Sequence, residues 1–147
     1  MNARMNLAQS VPEIYQAVMA MDGAIRKSGL ESDLLHLAKV RASQINGCAF
    51  CVDLHVKEAL ADGMDPQKLH LVAAWQESPS FSARERAALD WTEKVTLLPQ
   101  TGAPDESFEV LRSELSPIEI AQLTVAIAAI NMLNRMAVSS RLQHPLS

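Results

Sequence analysis

The chain is poor in the residues that would make it secreted, fibrous or nucleic-acid binding. Two cysteines in 147 residues are too few for the disulfide framework of a small secreted domain. Five glycines and seven prolines exclude collagen-like and low-complexity chains. Aromatic residues make up only 4%, and no stretch alternates apolar and polar side chains, so a β-rich fold lacks its usual material. Cations are outnumbered: 13 Lys plus Arg face 17 Asp plus Glu, for a formal charge of −4. That is the wrong sign for a surface that must meet phosphates, and no nucleic-acid partner is expected. The purest apolar run is Val125 to Ile130, far short of the roughly 18 residues that span a bilayer, and the N-terminus lacks the apolar core of a secretion signal. With 48% hydrophobic and 20% charged residues, the expectation is one soluble domain over residues 1–147, in the cytoplasm, with no membrane partner.

What remains favours helix. Alanine (21) and leucine (18) dominate, and both are strong helix formers. Ser10-x-x-Glu13, Ser82-x-x-Glu85 and Ser116-x-x-Glu119 fit capping boxes, and Pro66 and Pro117 stand where a first helical residue is expected. Gly29, Gly47 and Gly63 follow periodic segments as C-terminal caps do, while Pro79, Pro99 and Pro104 interrupt what lies between. The reading is an all-α chain with about seven helices, over roughly 11–28, 32–45, 48–62, 66–77, 83–98, 105–114 and 117–141. A shift of about 85 residues aligns Val40 with Val125, Ile45 with Ile130 and Asn46 with Asn131, suggesting a duplicated helical hairpin whose second copy has Leu133 and Met136 in place of the cysteines.

Those cysteines, Cys48-x-x-Cys51, carry the chemistry. Asn46-Gly47 is a turn signal, which puts Cys48 in the first turn of the following helix and Cys51 one turn later. At 100° per residue Cys48, Cys51 and His55 fall at about 0°, 300° and 340°, on one stripe. Unpaired N–H groups at a helix start favour thiolate over thiol, and a nearby imidazole can take the proton. These are the requirements of an activated nucleophile with a resolving partner. His36 is the second candidate. In an antiparallel hairpin turning at residues 46 and 47 its axial mismatch with His55 is about 3 Å, so both imidazoles could share one site.

Other readings compete. Cysteines are often small buried hydrophobes. Cys48, Cys51, His55 and His36 also count to four zinc ligands, although there is no second ligand pair and three ligands on one helix strain a tetrahedron. His70 and His144 have no partner pattern. Trp75, Trp91, Phe81 and Phe108 are expected in the core, and Met5, Met19, Met21, Met132 and Met136 in apolar packing. Asn131, Asn134 and Arg135 suggest internal hydrogen bonds or a subunit contact, and Glu85, Arg86 and Asp90 suggest ion pairs.

The segment ASQINGCAFCVDLHVKEA, residues 42–59, with ERAALDW and INMLNR further on, resembles the carboxymuconolactone decarboxylase and alkylhydroperoxidase AhpD-like superfamily over residues 10–140. The Cys-x-x-Cys-x-x-x-His pattern resembles its peroxidase-like branch, because the decarboxylase branch generally lacks the cysteine pair. The resemblance implies that Cys51 is the peroxidatic thiol, Cys48 the resolving thiol and His55 part of the relay that activates Cys51. It implies a small organic hydroperoxide as substrate, an external dithiol or protein reductant, no cofactor or metal, and a homotrimer or hexamer. Two positions depart from the pattern: His36 stands where the relay usually has Glu, and Phe50 where some members have His. A thiol-disulfide adaptor feeding a peroxiredoxin, or a zinc-stabilised or structural helical oligomer, remain the alternatives.

Overall fold

In the computed structural model, which describes residues 2–146, all regular structure is helical. The elements are α1 (Leu7–Ser10), α2 (Pro12–Arg26), α3 (Ser32–Ile45), α4 (Ala49–Ala61), α5 (Pro66–Leu71), a 3₁₀ segment (Val72–Glu77), α6 (Ala83–Thr96), α7 (Leu98–Thr101), α8 (Asp105–Glu114) and α9 (Pro117–Ser140). All seven expected helices are present, and the two additions are single turns. Asn6 starts the first, its side chain accepting the Gln9 N–H. Pro99 accounts for the second: it has no N–H to continue α6, and instead sits at the start of α7.

Ser82 and Ser116 form complete capping boxes with Glu85 and Glu119. The Ser10–Glu13 box does not form. Ser10 is spent in α1, and α2 starts from Val11 with no side-chain cap, relying on Pro12 in its first turn. The segment expected as one helix over 66–77 tightens to 3₁₀ geometry at Val72, with Ala74 out of helical range.

Helix α3 lies at the centre, packed against α4, α6 and α9. Leu34, Leu35, Ala38, Trp91, Leu123 and Ile127 belong to one buried cluster, and Leu37, Val40, Val72, Trp75, Phe81 and Leu89 to another. Each fully buried side chain of this size contributes about 1.5–3 kcal/mol, so α3 is the element whose burial ties the bundle together. Asn46 ends α3 and Gly47 turns the chain with φ 64°, a conformation that costs glycine least. Helix α4 then runs back along α3.

The suggested duplication is corrected by α9. It begins 85 residues after α3 (117 against 32) but continues straight through the positions matching the turn, because Met132 replaces Gly47. The aligned asparagines nevertheless meet. The Asn46 amide donates to Asn131 and Asn134, each at 2.9 Å, and Asn134 donates to Ser43 at 3.0 Å. This network pins the α3–α4 turn to α9.

By length and composition α9, with a mean hydropathy of 1.3 over its most apolar window, could cross a bilayer. Gln122, Thr124, Asn131, Asn134 and Arg135 kept its apolar runs short in the sequence. Its buried face holds Leu123, Ala126, Ile127 and Ile130 against the bundle.

Candidate active site

Cys48 is the N-cap of α4 rather than a member of its first turn, with extended backbone and its Sγ accepting the Cys51 N–H at 3.3 Å. This geometry brings the Cα atoms to 5.3 Å, and the two sulfurs are joined as a disulfide, as their spacing suggested. The pair is buried against Ala137 of α9, with Phe50 beside it.

One turn beyond Cys51, His55 is only 4% exposed. Its Nδ1 lies 2.8 Å from Glu58 Oε2. The other carboxylate oxygen, Oε1, accepts from the Arg26 guanidinium at 2.8 Å. Burial raises the pKa of Glu58, but the hydrogen bonds and charges of His55 and Arg26 outweigh it and bring the carboxyl down to about 2. An ionised carboxylate only accepts, so Nδ1 carries a proton, and Nε2 is the ring atom that accepts a further one whenever the imidazole is neutral.

The network extends through Arg26, which donates to Asp22 at 2.9 Å, and Lys39, which reaches the other Asp22 oxygen at 2.7 Å. Burial opposes ionisation of Asp22, yet these two cations hold its carboxyl below the usual range, and Asp22 and Glu58 in turn raise the pKa of Arg26 against its own burial. Two carboxylates and two cations alternate behind His55.

A cavity of about 540 Å³ adjoins this row, ample for a small organic molecule. Cys51, His55 and Glu58 line it together with Met5, Tyr15, Met19, Leu54, Leu133 and Met136. Met5, Met19 and Met136 are therefore cavity wall rather than core, and α2, which buries only Ile25, serves as one side of the cavity.

His36 is placed elsewhere. It does not line the cavity, and its Nε2 pairs with Asp62 Oδ2 at 2.7 Å while Nδ1 is buried without a partner. Axial register counted residues along the two helices but not the faces they occupy, so the imidazoles meet different carboxylates. Among the described residues no group of three or more His, Cys, Asp or Glu side chains is placed to hold a metal ion.

Other side chains resolve simply. Trp75, Trp91 and Phe81 are buried, and Phe108 packs on Trp91 with ring centres 5.6 Å apart. Glu85 pairs with Lys68 at 2.6 Å and Asp90 with Lys94 at 3.6 Å. Arg86 instead donates to the carbonyls of Trp75, Gln76 and Ser78 and stacks over the Trp75 ring. The groups that sequence reasoning missed are Glu58, Arg26, Asp22 and Lys39. Only Glu58 had a local signal, standing three residues after His55 on the same helix.

Residues 12–94 match the carboxymuconolactone decarboxylase family. An uncharacterized protein of Bacillus subtilis, YdfG, is 32% identical over 139 residues, covering 95% of both chains. A solved protein of unknown function from Agrobacterium tumefaciens, whose description suggests the antioxidant defence protein AhpD, superposes with a TM-score of 0.97 at 51% identity, over 99% of this chain and 100% of that one. An uncharacterized peroxidase-related protein from Silicibacter superposes with a TM-score of 0.77 at 26% identity, covering 87% and 68% of the two chains.

Proposed function

We propose that this chain, which belongs to the carboxymuconolactone decarboxylase family, is a thiol-dependent peroxidase that reduces small organic hydroperoxides. The observation that carries this reading is the shared cavity: Cys51 and His55 line it together, one helical turn apart, and Glu58 backs His55. The cysteine pair also supports the peroxidase-like branch of the resemblance over the decarboxylase branch, which generally lacks it.

In the proposed cycle His55 Nε2 takes the Cys51 proton, and the thiolate attacks the distal oxygen of the hydroperoxide. The O–O bond breaks, Cys51 becomes sulfenic acid, and the departing alkoxide takes the proton from His55 and leaves as alcohol. Cys48 then attacks the Cys51 sulfur, expels water and closes the disulfide. A dithiol or protein reductant restores both thiols. The relay runs through His55 and Glu58, with Glu58 supplying the carboxylate that the resemblance expected at position 36. His36 is assigned to the packing of α3 on the end of α4.

Self-association as a trimer or hexamer is part of the proposal. Val125 is 52% exposed, and Ile118 shares its side of α9, which favours an apolar face covered by another copy. A reducing compartment such as the cytoplasm would recharge the pair.

Consumption of cumene hydroperoxide by the purified protein with dithiothreitol tests the reading. Many turnovers per chain are expected. A rate no greater than that of dithiothreitol alone would reject it in favour of the adaptor that serves a partner peroxiredoxin.

A further inference from the structure

The start of helix α4 sets its two nearly buried cysteines, 2% and 4% exposed, against different spaces. At about 100° per residue, Cys51, Leu54, His55 and Glu58 point to one side and Ala49, Val52, Asp53, Val56, Lys57 and Leu60 to the other, with mean directions about 180° apart. The first set walls the cavity. The second set, together with Ser43 and Gly47 from the α3–α4 turn, walls an open groove. The two spaces share no lining residue: Cys51 lines only the cavity and Cys48 only the groove.

We propose that oxidant and reductant use these openings separately, the hydroperoxide reaching Cys51 through the cavity and a neutral dithiol reaching Cys48 through the groove. The identity of the oxidant rests on the peroxidase reading; the attack on Cys48 does not.

Thiol–disulfide exchange requires a thiolate in line with the S–S bond, and the far sulfur leaves. From the groove, the attacked atom is Cys48 Sγ. A bond forms between it and the reductant sulfur, and Cys51 departs as thiolate on the cavity side, beside the imidazole that handles its proton. The second reductant thiol, as thiolate, then attacks the reductant's own sulfur in the mixed disulfide. This closes the reductant as a disulfide and releases Cys48 as thiolate. In sum, two electrons and two protons pass from the dithiol to the cysteine pair.

Each leaving sulfur has a stabilising group where it leaves. Cys48 Sγ accepts the Cys51 N–H at the start of α4, where the positive end of the helix favours an anion. The neutral charge of the reductant follows from the groove itself. Its charged side chains, Asp53 and Lys57, satisfy each other at 2.7 Å, leaving Val52, Val56 and Leu60 to meet an aliphatic chain.

The test uses the full chain oxidised with diamide, its reduction by dithiothreitol followed in a stopped-flow instrument. Ala49→Trp and Lys57→Trp fill the groove from exposed positions, and Leu54→Trp fills the cavity. The groove variants should slow reduction by about tenfold or more, because exchange depends on access to the attacked sulfur. Leu54→Trp should instead slow oxidation of the reduced protein by cumene hydroperoxide, with a smaller effect on reduction. The proposal is overturned if both groove variants reduce within about twofold of the parent, or if Leu54→Trp slows reduction as much as they do. Diamide makes the disulfide without any peroxide, so the reduction arm gives its answer even for a protein that consumes none, and the two readings fail separately.

Discussion

Replacing Glu58 by Gln removes one acceptor oxygen from a carboxylate that uses both, Oε2 for His55 and Oε1 for Arg26. The amide has one oxygen and one NH₂ group, so whichever way it turns, one partner faces a donor. Turned toward Arg26, its oxygen leaves the NH₂ facing His55 Nδ1, which then keeps a lone pair and sends the proton to Nε2. The imidazole can no longer take the Cys51 proton. A hydrogen bond to a charged group contributes about 1.5–3 kcal/mol, and the Glu58 side chain, 26% exposed, should fall in the lower half of that range. About 1.5–2 kcal/mol corresponds to a loss of roughly tenfold to thirtyfold in the rate of Cys51 oxidation at pH 7. The assay is single-turnover oxidation of the reduced protein by cumene hydroperoxide between pH 6 and 9. The deficit should shrink as the pH nears about 8.5, where an unperturbed thiol ionises without help. A Glu58→Gln rate within about twofold of the parent at pH 7 would refute the relay.

Four further outcomes follow from the same geometry. Asp22→Ala strips the carboxylate from Lys39, which is 2% exposed, and should cost about 3–5 kcal/mol in urea unfolding, with a loss under about 1 kcal/mol counting against a structural role for the pair. Glu58, held at about 2 in the fold against an ordinary 4.5, contributes stability that is complete above its unfolded value and is lost as pH falls from 4.5 toward 2. The melting temperatures of the parent and Glu58→Gln should therefore converge over that window, and a constant gap would contradict it. His36→Glu puts a carboxylate beside Asp62, now 2.7 Å from the imidazole, so it should lower thermal stability without raising the peroxidase rate; a faster enzyme would restore His36 to the relay. Light scattering should give a multiple of the chain mass for the parent, as the proposed self-association requires, and the single-chain mass for Val125→Asp; a monomeric parent would refute the self-association, and an unchanged mass would move the contact off this face.

The helices were legible because their ends are written in local chemistry: Ser82 and Ser116 with their glutamates, Pro66 and Pro117, Gly47 and Gly63. Ser10 misled because the same serine could end one turn or begin the next, and Asn6 nearby offered a competing start. That Cys51 and His55 line one cavity was legible for the same reason, since residues one helical turn apart have fixed mutual directions; Cys48, expected in the same turn, stands outside it as the N-cap. The rest of the site depends on which face of α2 and α3 turns toward α4. Arg26 lies 32 residues from Glu58 in sequence, and Lys39 on an apolar helix gave no sign that it would be buried with Asp22. His36 was misplaced by the same gap: it meets Asp62 at the far end of α4 and not His55.

The peroxidase reading stands most directly on which sulfur is oxidised first. Mass spectrometry after one equivalent of cumene hydroperoxide, with dimedone present, reads this in the parent and in each single-cysteine variant. The account predicts a Cys48–Cys51 disulfide in the parent, a dimedone adduct on Cys51 in Cys48→Ser, and unmodified Cys48 in Cys51→Ser. An adduct on Cys48 in Cys51→Ser, with none on Cys51 in Cys48→Ser, would contradict it and make the N-cap thiol at the start of α4 the nucleophile.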